Sequence, residues 1–238
     1  MCLVLCLDFN PAFFGQTNNY ITLASDLGGQ SEHDQFVDIS VNARLRKGLV
    51  LQGGVSTGQT VTDMCNVLAA SPSATSVGEF GAAAPGATPV GGPFCHQVTN
   101  WMGQTQIKML GTYQVPKADV MIAATMQSVP GPVVAANYIA PNALVQPSLG
   151  RPLSGGAPNV TVNLIAPGTL YGDRANEMDL RLSKALHVYR MQINVNADVY
   201  NMFNVSPVMQ FNAAYGAWLT PQRIMDGRLY KLSAQINF

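Results

Sequence analysis

Met191-Gln192-Ile193-Asn194-Val195-Asn196-Ala197-Asp198-Val199 is the stretch that decides the fold class. Its odd-numbered residues are all apolar and its even-numbered residues all polar. Successive side chains of an extended chain point to opposite sides, so this period of two gathers every apolar group on one face. A helix would scatter the same residues around its circumference. The pattern predicts a strand with one apolar and one polar surface.

The same period recurs along the chain. Near the end, Tyr230, Leu232, Ala234, Ile236 and Phe238 alternate with Lys231, Ser233, Gln235 and Asn237. Upstream, Met178, Leu180 and Leu182 oppose Asp179, Arg181 and Ser183, and Val120, Ile122, Ala124 and Met126 oppose Thr125 and Gln127. Ile107, Met109, Gly111, Tyr113 and Val115 face away from Gln106, Lys108, Thr112 and Gln114. Leu49, Leu51, Gly53 and Val55 form a less regular run, and Val37, Ile39, Val41, Ala43 and Leu45 a clean one against Asp38, Ser40, Asn42 and Arg44. With a shorter run from Tyr20 to Ser25, about eight strands are expected. No segment of similar length has a 3.6-residue period, so the chain is read as all-β.

Connections alternate in length. Short turns fall at Arg46-Lys47-Gly48, at Pro116 to Asp119 and around His187 to Arg190, whereas residues 58–104, 129–176 and 204–226 make long links. Structureless loops of that length are uncommon in compact soluble domains. Outer-membrane barrels, by contrast, carry short periplasmic turns and long extracellular loops. Residues 68–93 are rich in Ala, Gly, Pro, Ser and Thr and have little to bury. No linker separates two cores, so residues 15–238 are read as one domain, preceded by an atypical segment at 1–14.

Composition narrows the function classes. Only 11% of the 238 residues are charged, the net charge is zero, and 47% are hydrophobic. Ordinary soluble domains are about 25% charged. A pI near 6.8 supplies no basic footprint for nucleic acid, and the hydrophobic content argues against disorder. No apolar run is long enough for a transmembrane helix. The polar faces hold Gln, Asn, Ser and Thr where a soluble surface would carry Lys and Glu. Aromatic residues gather near strand ends, at Tyr113, Tyr189, Tyr200, Phe203, Tyr230 and Phe238, as interfacial girdles require. A soluble sandwich would show the same alternation, but these features favour an antiparallel up-and-down transmembrane β-barrel. Asp38, Arg44, Lys108, Asp179, Arg181 and Asp198 would then face its lumen.

Three stretches carry a family likeness. They are Tyr171-Gly172-Asp173-Arg174 with Met178-Asp179-Leu180-Arg181, Asn196 to Asn204, and the closing Arg228 to Phe238. They resemble the C-terminal barrel portion of TonB-dependent outer-membrane receptors, of the subfamily that carries a carboxypeptidase-regulatory-like domain. The likeness extends over nearly everything after Gly15. It implies localisation in the bacterial outer membrane and active uptake of a scarce nutrient, a siderophore, an oligosaccharide or a peptide. It also implies partners: outer-membrane lipid, further N-terminal barrel strands, a plug, and TonB acting through that plug. Tyr230, Leu232, Ala234, Ile236 and Phe238 match the closing assembly signal of such barrels.

The family's barrels have 22 strands, and about eight are read here. In lipid an open sheet would bare two edges, each leaving about five donors and five acceptors unpaired at several kcal/mol apiece. The sheet is therefore expected to close on itself, join further strands, oligomerise or stay out of the bilayer. Met1 to Leu7 lacks the basic region and cleavage site of an export signal. The chain is accordingly read as part of something longer that does not transport alone. The alternatives are a small stand-alone structural outer-membrane barrel and, behind it, a soluble β-sandwich binding module, against which the scarcity of Lys and Glu argues.

Candidate chemistry is sparse. Gly54-Val55-Ser56-Thr57-Gly58 matches the nucleophile-elbow pattern of hydrolases, but no helical period follows it, as that elbow needs. His33, His96 and His187 show no ligand spacing. Neither a catalytic set, a metal nor a cofactor is expected. His33, with Glu32 and Asp34, is read as a solvated loop tip. Cys65 and Cys95 flank the first long link, and in the oxidising periplasm or cell surface a disulfide between them is the favoured reading. Among loop residues, Tyr138, Arg151, Tyr171, Arg174, Phe211, Tyr215 and Trp218 are the candidate ligand contacts.

Overall fold

The structure, a computed structural model, describes residues 8, 10–16, 21–45, 48–71, 94–189 and 191–237. Seven long strands form an antiparallel meander in chain order. They are β1 (Ser31–Leu45), β2 (Leu49–Asp63), β4 (Gln106–Val115), β5 (Val120–Val129), β8 (Ala175–Val188), β9 (Met191–Tyr200) and β12 (Leu229–Asn237). An eighth, short strand, β3 (His96–Thr99), pairs with the far end of β2. The chain is all-β, as read from its alternation. Among the described residues β1 and β12 each pair on one side only, so the sheet is open.

The pairing register explains why this sequence chooses these strands. Ile39 lies opposite Val55, Val55 opposite Ile107, Met109 opposite Met126, and Met126 opposite Met178. Leu182 lies opposite Ala197, and Ala197 opposite Leu232. One unbroken apolar surface therefore crosses all seven strands. A one-residue slip anywhere would send a strand's apolar set to the other side. Asp38, Arg44, Lys108, Asp179, Arg181 and Asp198 all fall on the opposite, polar face.

Nothing among the described residues packs on the apolar face. Ile39 is 61% exposed and Leu232 is 82% exposed, and no large side chain is fully buried. A sandwich would have a second sheet here; the described residues place none against this face.

All three long links lie at one end of the sheet. The opposite end carries the tight turns, with positive φ at Lys117 (66°), Asp119 (47°) and Tyr189 (56°). The described residues of the long links form short helices and hairpins, contrary to the expectation of structureless loops. Loop one contains α1 (Cys65–Ala70), β3 and α2 (Trp101–Gln104). Since β3 and β4 both pair with β2, they amount to one strand interrupted by the α2 turn. Loop two holds the hairpin of β6 (Asn137–Pro141) and β7 (Asn159–Asn163), with α3 (Asn142–Leu149) between them. Loop three holds the hairpin of β10 (Val208–Phe211) and β11 (Pro221–Ile224).

Two local expectations fail. Of the run expected from Tyr20 to Ser25, Tyr20 lies outside the described residues and the rest is not a strand: Ile21 to Leu23 has no ladder partner, and Ala24–Leu27 is a 3₁₀ turn closed by Gly28 at φ 93°. Glu32, His33 and Asp34 are not a loop tip but the first turn-distal residues of β1, paired with Thr62, Val61 and Thr60. Phe238, the last residue of the expected assembly signal, and most of the Ala/Gly/Pro-rich segment lie outside the described residues.

Candidate functional site

The polar face of the sheet is held by cross-strand hydrogen bonds between neutral and charged groups. Ser183 Oγ donates to Asn196 Oδ1 at 2.6 Å, and Gln127 Nε2 donates to Glu177 Oε2 at 2.5 Å. Arg181 grips Asp198 with two bonds, Nε to Oδ1 at 2.5 Å and Nη2 to Oδ2 at 3.1 Å. Such a fork fixes geometry as well as neutralising charge. Asp179 accepts from the Asn201 backbone N–H at 2.9 Å. Lys108, Asp38 and Arg44 share the face but form no ion pair among the described residues. Gln52, Lys108, Thr125, Gln127, Glu177 and Asp179 line an open concavity of about 410 Å³ on this face.

Above the sheet, three side chains tie the loops to the strand ends. Arg174, entered as a candidate ligand contact, turns its guanidinium inward. It donates to the carbonyls of Thr105 (2.7 Å), Ser128 (3.1 Å) and Met102 (3.5 Å) and to Ser128 Oγ (3.2 Å). One side chain thus ties the tops of β4, β5 and β8. Asn201, 2% exposed and at φ 48°, does the same for loop three. Its Nδ2 donates to the carbonyls of Val205 (2.8 Å) and Asp226 (2.9 Å), and its Oδ1 accepts from Val205 N (3.0 Å). Asn204, at φ 53°, accepts from the Arg228 backbone N–H at 2.9 Å. Asparagine tolerates the left-handed conformation better than most residues, which is why the Asn201-to-Asn204 stretch can turn so sharply.

Arg151 meets a partner far away in sequence. Its Nη1 lies 2.5 Å from Asp8 Oδ2, and that oxygen also accepts from Ser154 N (2.9 Å) and Ser154 Oγ (3.0 Å). Burial alone would raise the Asp8 pKa; the donors of Arg151 and Ser154 outweigh it and hold the carboxyl below its ordinary value. Asp8 of the N-terminal segment is therefore docked on loop two. In loop one, Cys65 and Cys95 form the expected disulfide, with Cα atoms 4.7 Å apart. Beside it, His96 Nδ1 lies 3.0 Å from Asp63 Oδ2.

The aromatic candidates fall into two groups. Tyr171 packs on Gly103, where a Cβ would sit 2.3 Å from the ring. Burial raises its pKa against a hydrogen bond with Thr99 that lowers it. Tyr138, Phe211, Tyr215 and Trp218 come together where loops two and three meet. Tyr138 and Tyr215 make an edge-to-face pair with centroids 5.5 Å apart, Asn137 bridges to Ala214, and Trp218 Nε1 donates to the Ala135 carbonyl at 3.2 Å. Phe211 packs on Gly172, where a Cβ would sit 2.7 Å from its ring. Tyr215 remains 60% exposed and Trp218 40% exposed.

Other motifs resolve simply. Ser56 of the Gly54–Gly58 pentapeptide lies inside β2 with Asp38 and Gln106 as register partners, so no strand-to-helix elbow forms. Among the described residues no three His, Cys, Asp or Glu side chains converge as for a metal, and no helix is long and apolar enough to cross a membrane. Sequence reasoning missed Asp8, Ser128, Ser154, Asn201 and Asn204. Their signal was a polar residue at a strand or loop end, which is too common to single out. No protein-family model matches the chain, and no curated protein matches it.

Proposed function

We propose that this chain is the C-terminal portion of the barrel of a TonB-dependent outer-membrane receptor that takes up a scarce nutrient. Capture would fall to the three loops, and passage inward to a plug driven by TonB, neither of which these residues supply. The observation that carries the reading is the uncovered apolar face of a seven-stranded meander backed by a polar, hydrogen-bonded face. Water gives such a face no partner, whereas lipid does.

The dimensions agree. The nine residues of β12 span about 30 Å at 3.4 Å each, or about 23 Å in height when tilted by about 40°, close to the apolar band of about 25 Å in such barrels. Bare edges at β1 and β12 would be paired by further strands of the same barrel, since each would otherwise cost tens of kcal/mol in lipid. A small stand-alone barrel would need β1 to reach β12, which lie at opposite edges of the sheet.

Brominated-lipid quenching tests the reading on the full chain refolded into lipid vesicles. Val195→Trp should be strongly quenched, and Asn196→Trp, on the other face, should not. Equal quenching of both would remove the lipid-facing assignment and the barrel with it.

A further inference from the structure

We propose that Tyr215 and Trp218, braced by Tyr138, form a stacking platform for an uncharged oligosaccharide. The inference rests on the receptor reading above for the outward placement of the loops, and it names the class of nutrient.

The first support is that the rings are held in place yet left uncovered. Trp218 is fixed by its N–H bond to the Ala135 carbonyl at 3.2 Å, and Tyr215 by the edge of Tyr138 at 5.5 Å. Both anchor points belong to one short stretch of loop two, and the Asn137–Ala214 bridge locks that stretch to loop three. Even so, Tyr215 is 60% exposed. Rings ordered before binding lose little freedom on binding. Next to Trp218, Leu219 holds φ 62°. A bulky residue keeps that conformation only where its surroundings impose it, which is common at ligand-holding sites.

The second support is charge. The charged side chains of loops two and three are Arg151, Asp173, Arg174, Arg223, Asp226 and Arg228, the last turned back to Tyr230 Oη at 3.4 Å. Arg151 is spent on Asp8 and Arg174 on backbone carbonyls. Nothing there gathers cations for a phosphate, a catecholate or a carboxylate-rich chelate, nor anions for a basic peptide. The exposed polar side chains of the two hairpins include the amides Asn163 on β7 and Gln210 on β10, with the single cation Arg223 opposite Gln210. A pyranose matches this chemistry: one face of C–H groups lies on an aromatic ring, and the hydroxyl rim pairs with amides. A neutral, hydroxyl-rich chain is therefore favoured over a ferric siderophore.

Binding is read from tryptophan fluorescence of the full chain in lipid vesicles. A Trp101→Phe background leaves Trp218 as the reporter. The probes are maltohexaose, cellohexaose, xylohexaose and chitohexaose, with hexagalacturonate, ferric tris-catecholate and hexa-alanine as contrasts. At least one neutral hexaose should give a saturable change. Tyr215→Ala should weaken it about tenfold, and Tyr215→Phe, which keeps the ring, should restore it to within about twofold. The proposal is overturned if no neutral hexaose binds at 10 mM, if only a contrast probe binds, or if Tyr215→Ala binds as well as the parent. Tyr215 sits on an exposed turn, and retention of the Cys65–Cys95 disulfide in each variant reports folding. Failure here with intact quenching at Val195→Trp would remove the sugar and leave the barrel; the converse result would do the opposite.

Discussion

Loop two and the sheet that carries it treat apolar side chains in opposite ways. Loop two closes Ala140, Val145 and Leu153 into a small core of its own, with Tyr138, Leu149, Val160 and Val162 packed around them. The sheet is far richer in apolar residues, yet Val195, Leu182 and Ile39 stay 41%, 50% and 61% exposed. The buried residues of the strands and strand ends include Ser128, Asp198 and Asn201, which are polar. An apolar core belongs to a region that meets water. A polar interior under an apolar exterior belongs to a region that meets lipid. On the barrel proposed above, two solvents, one at each height, would account for both arrangements in a single chain.

The contrast is broken most directly by charge on the bare face. Val195→Arg should cost about 2–4 kcal/mol if that position faces the middle of a bilayer, and Asn196→Arg clearly less. Refolding yield and urea midpoints in lipid vesicles measure both, and matching losses would mean that the faces are not distinct. The next effect concerns loop one, whose described residues form no core cluster of their own. Cys95→Ser should cost roughly 2–4 kcal/mol through the lost cross-link, with the change in thermal midpoint as the readout. An unchanged midpoint would mean that the neighbouring β2–β3 pairing already holds the loop.

Asn201→Ala removes three side-chain hydrogen bonds at a buried site and should cost about 1–3 kcal/mol. Asn201→Gly allows the same backbone angle, so its loss reports the side-chain bonds with little strain. If Gly restores the parent's stability, the bonds are not what anchors loop three.

The smallest effect is set by pH. Because Asp8 is held below the free value of 3.8, its contribution is complete above that pH and is lost as the pH falls through the lower, folded value. The Ser154 amide resonance, whose N–H donates to Asp8, should titrate with a midpoint below 3.8 and stay flat in Asp8→Asn. A midpoint above the free value would reverse the assigned sign.

The strands and their faces were legible because alternation over nine or more residues has no helical counterpart. What misled was short range. Tyr20 to Ser25 alternates weakly, but Thr22 Oγ1 bonds to Asp26 Oδ2 at 2.5 Å and Gly28 ends the turn, so local bonds win where no ladder is offered. The polar start of β1 was read as a loop because only β2, running on to Asp63, makes it a strand. The β6–β7 and β10–β11 hairpins were invisible, since their strands are four or five residues long and lie far apart in sequence. The meeting of Tyr138 with Tyr215, and of Asp8 with Arg151, is a tertiary fact that no local pattern encodes.

The alternation of tight turns and long links also dictates an order of assembly. β1 with β2, β4 with β5, and β8 with β9 are joined by a few residues each, so these three hairpins can form by nearly local contacts. Joining one hairpin to the next requires a long link to be gathered first, and the entropy of that closure is met before the strands gain anything. Cys65–Cys95, Arg174 and Asn201 each sit where one such link begins or ends. They set the tempo at which the hairpins meet, and β12, which needs loop three closed, joins β9 after the β8–β9 hairpin has formed.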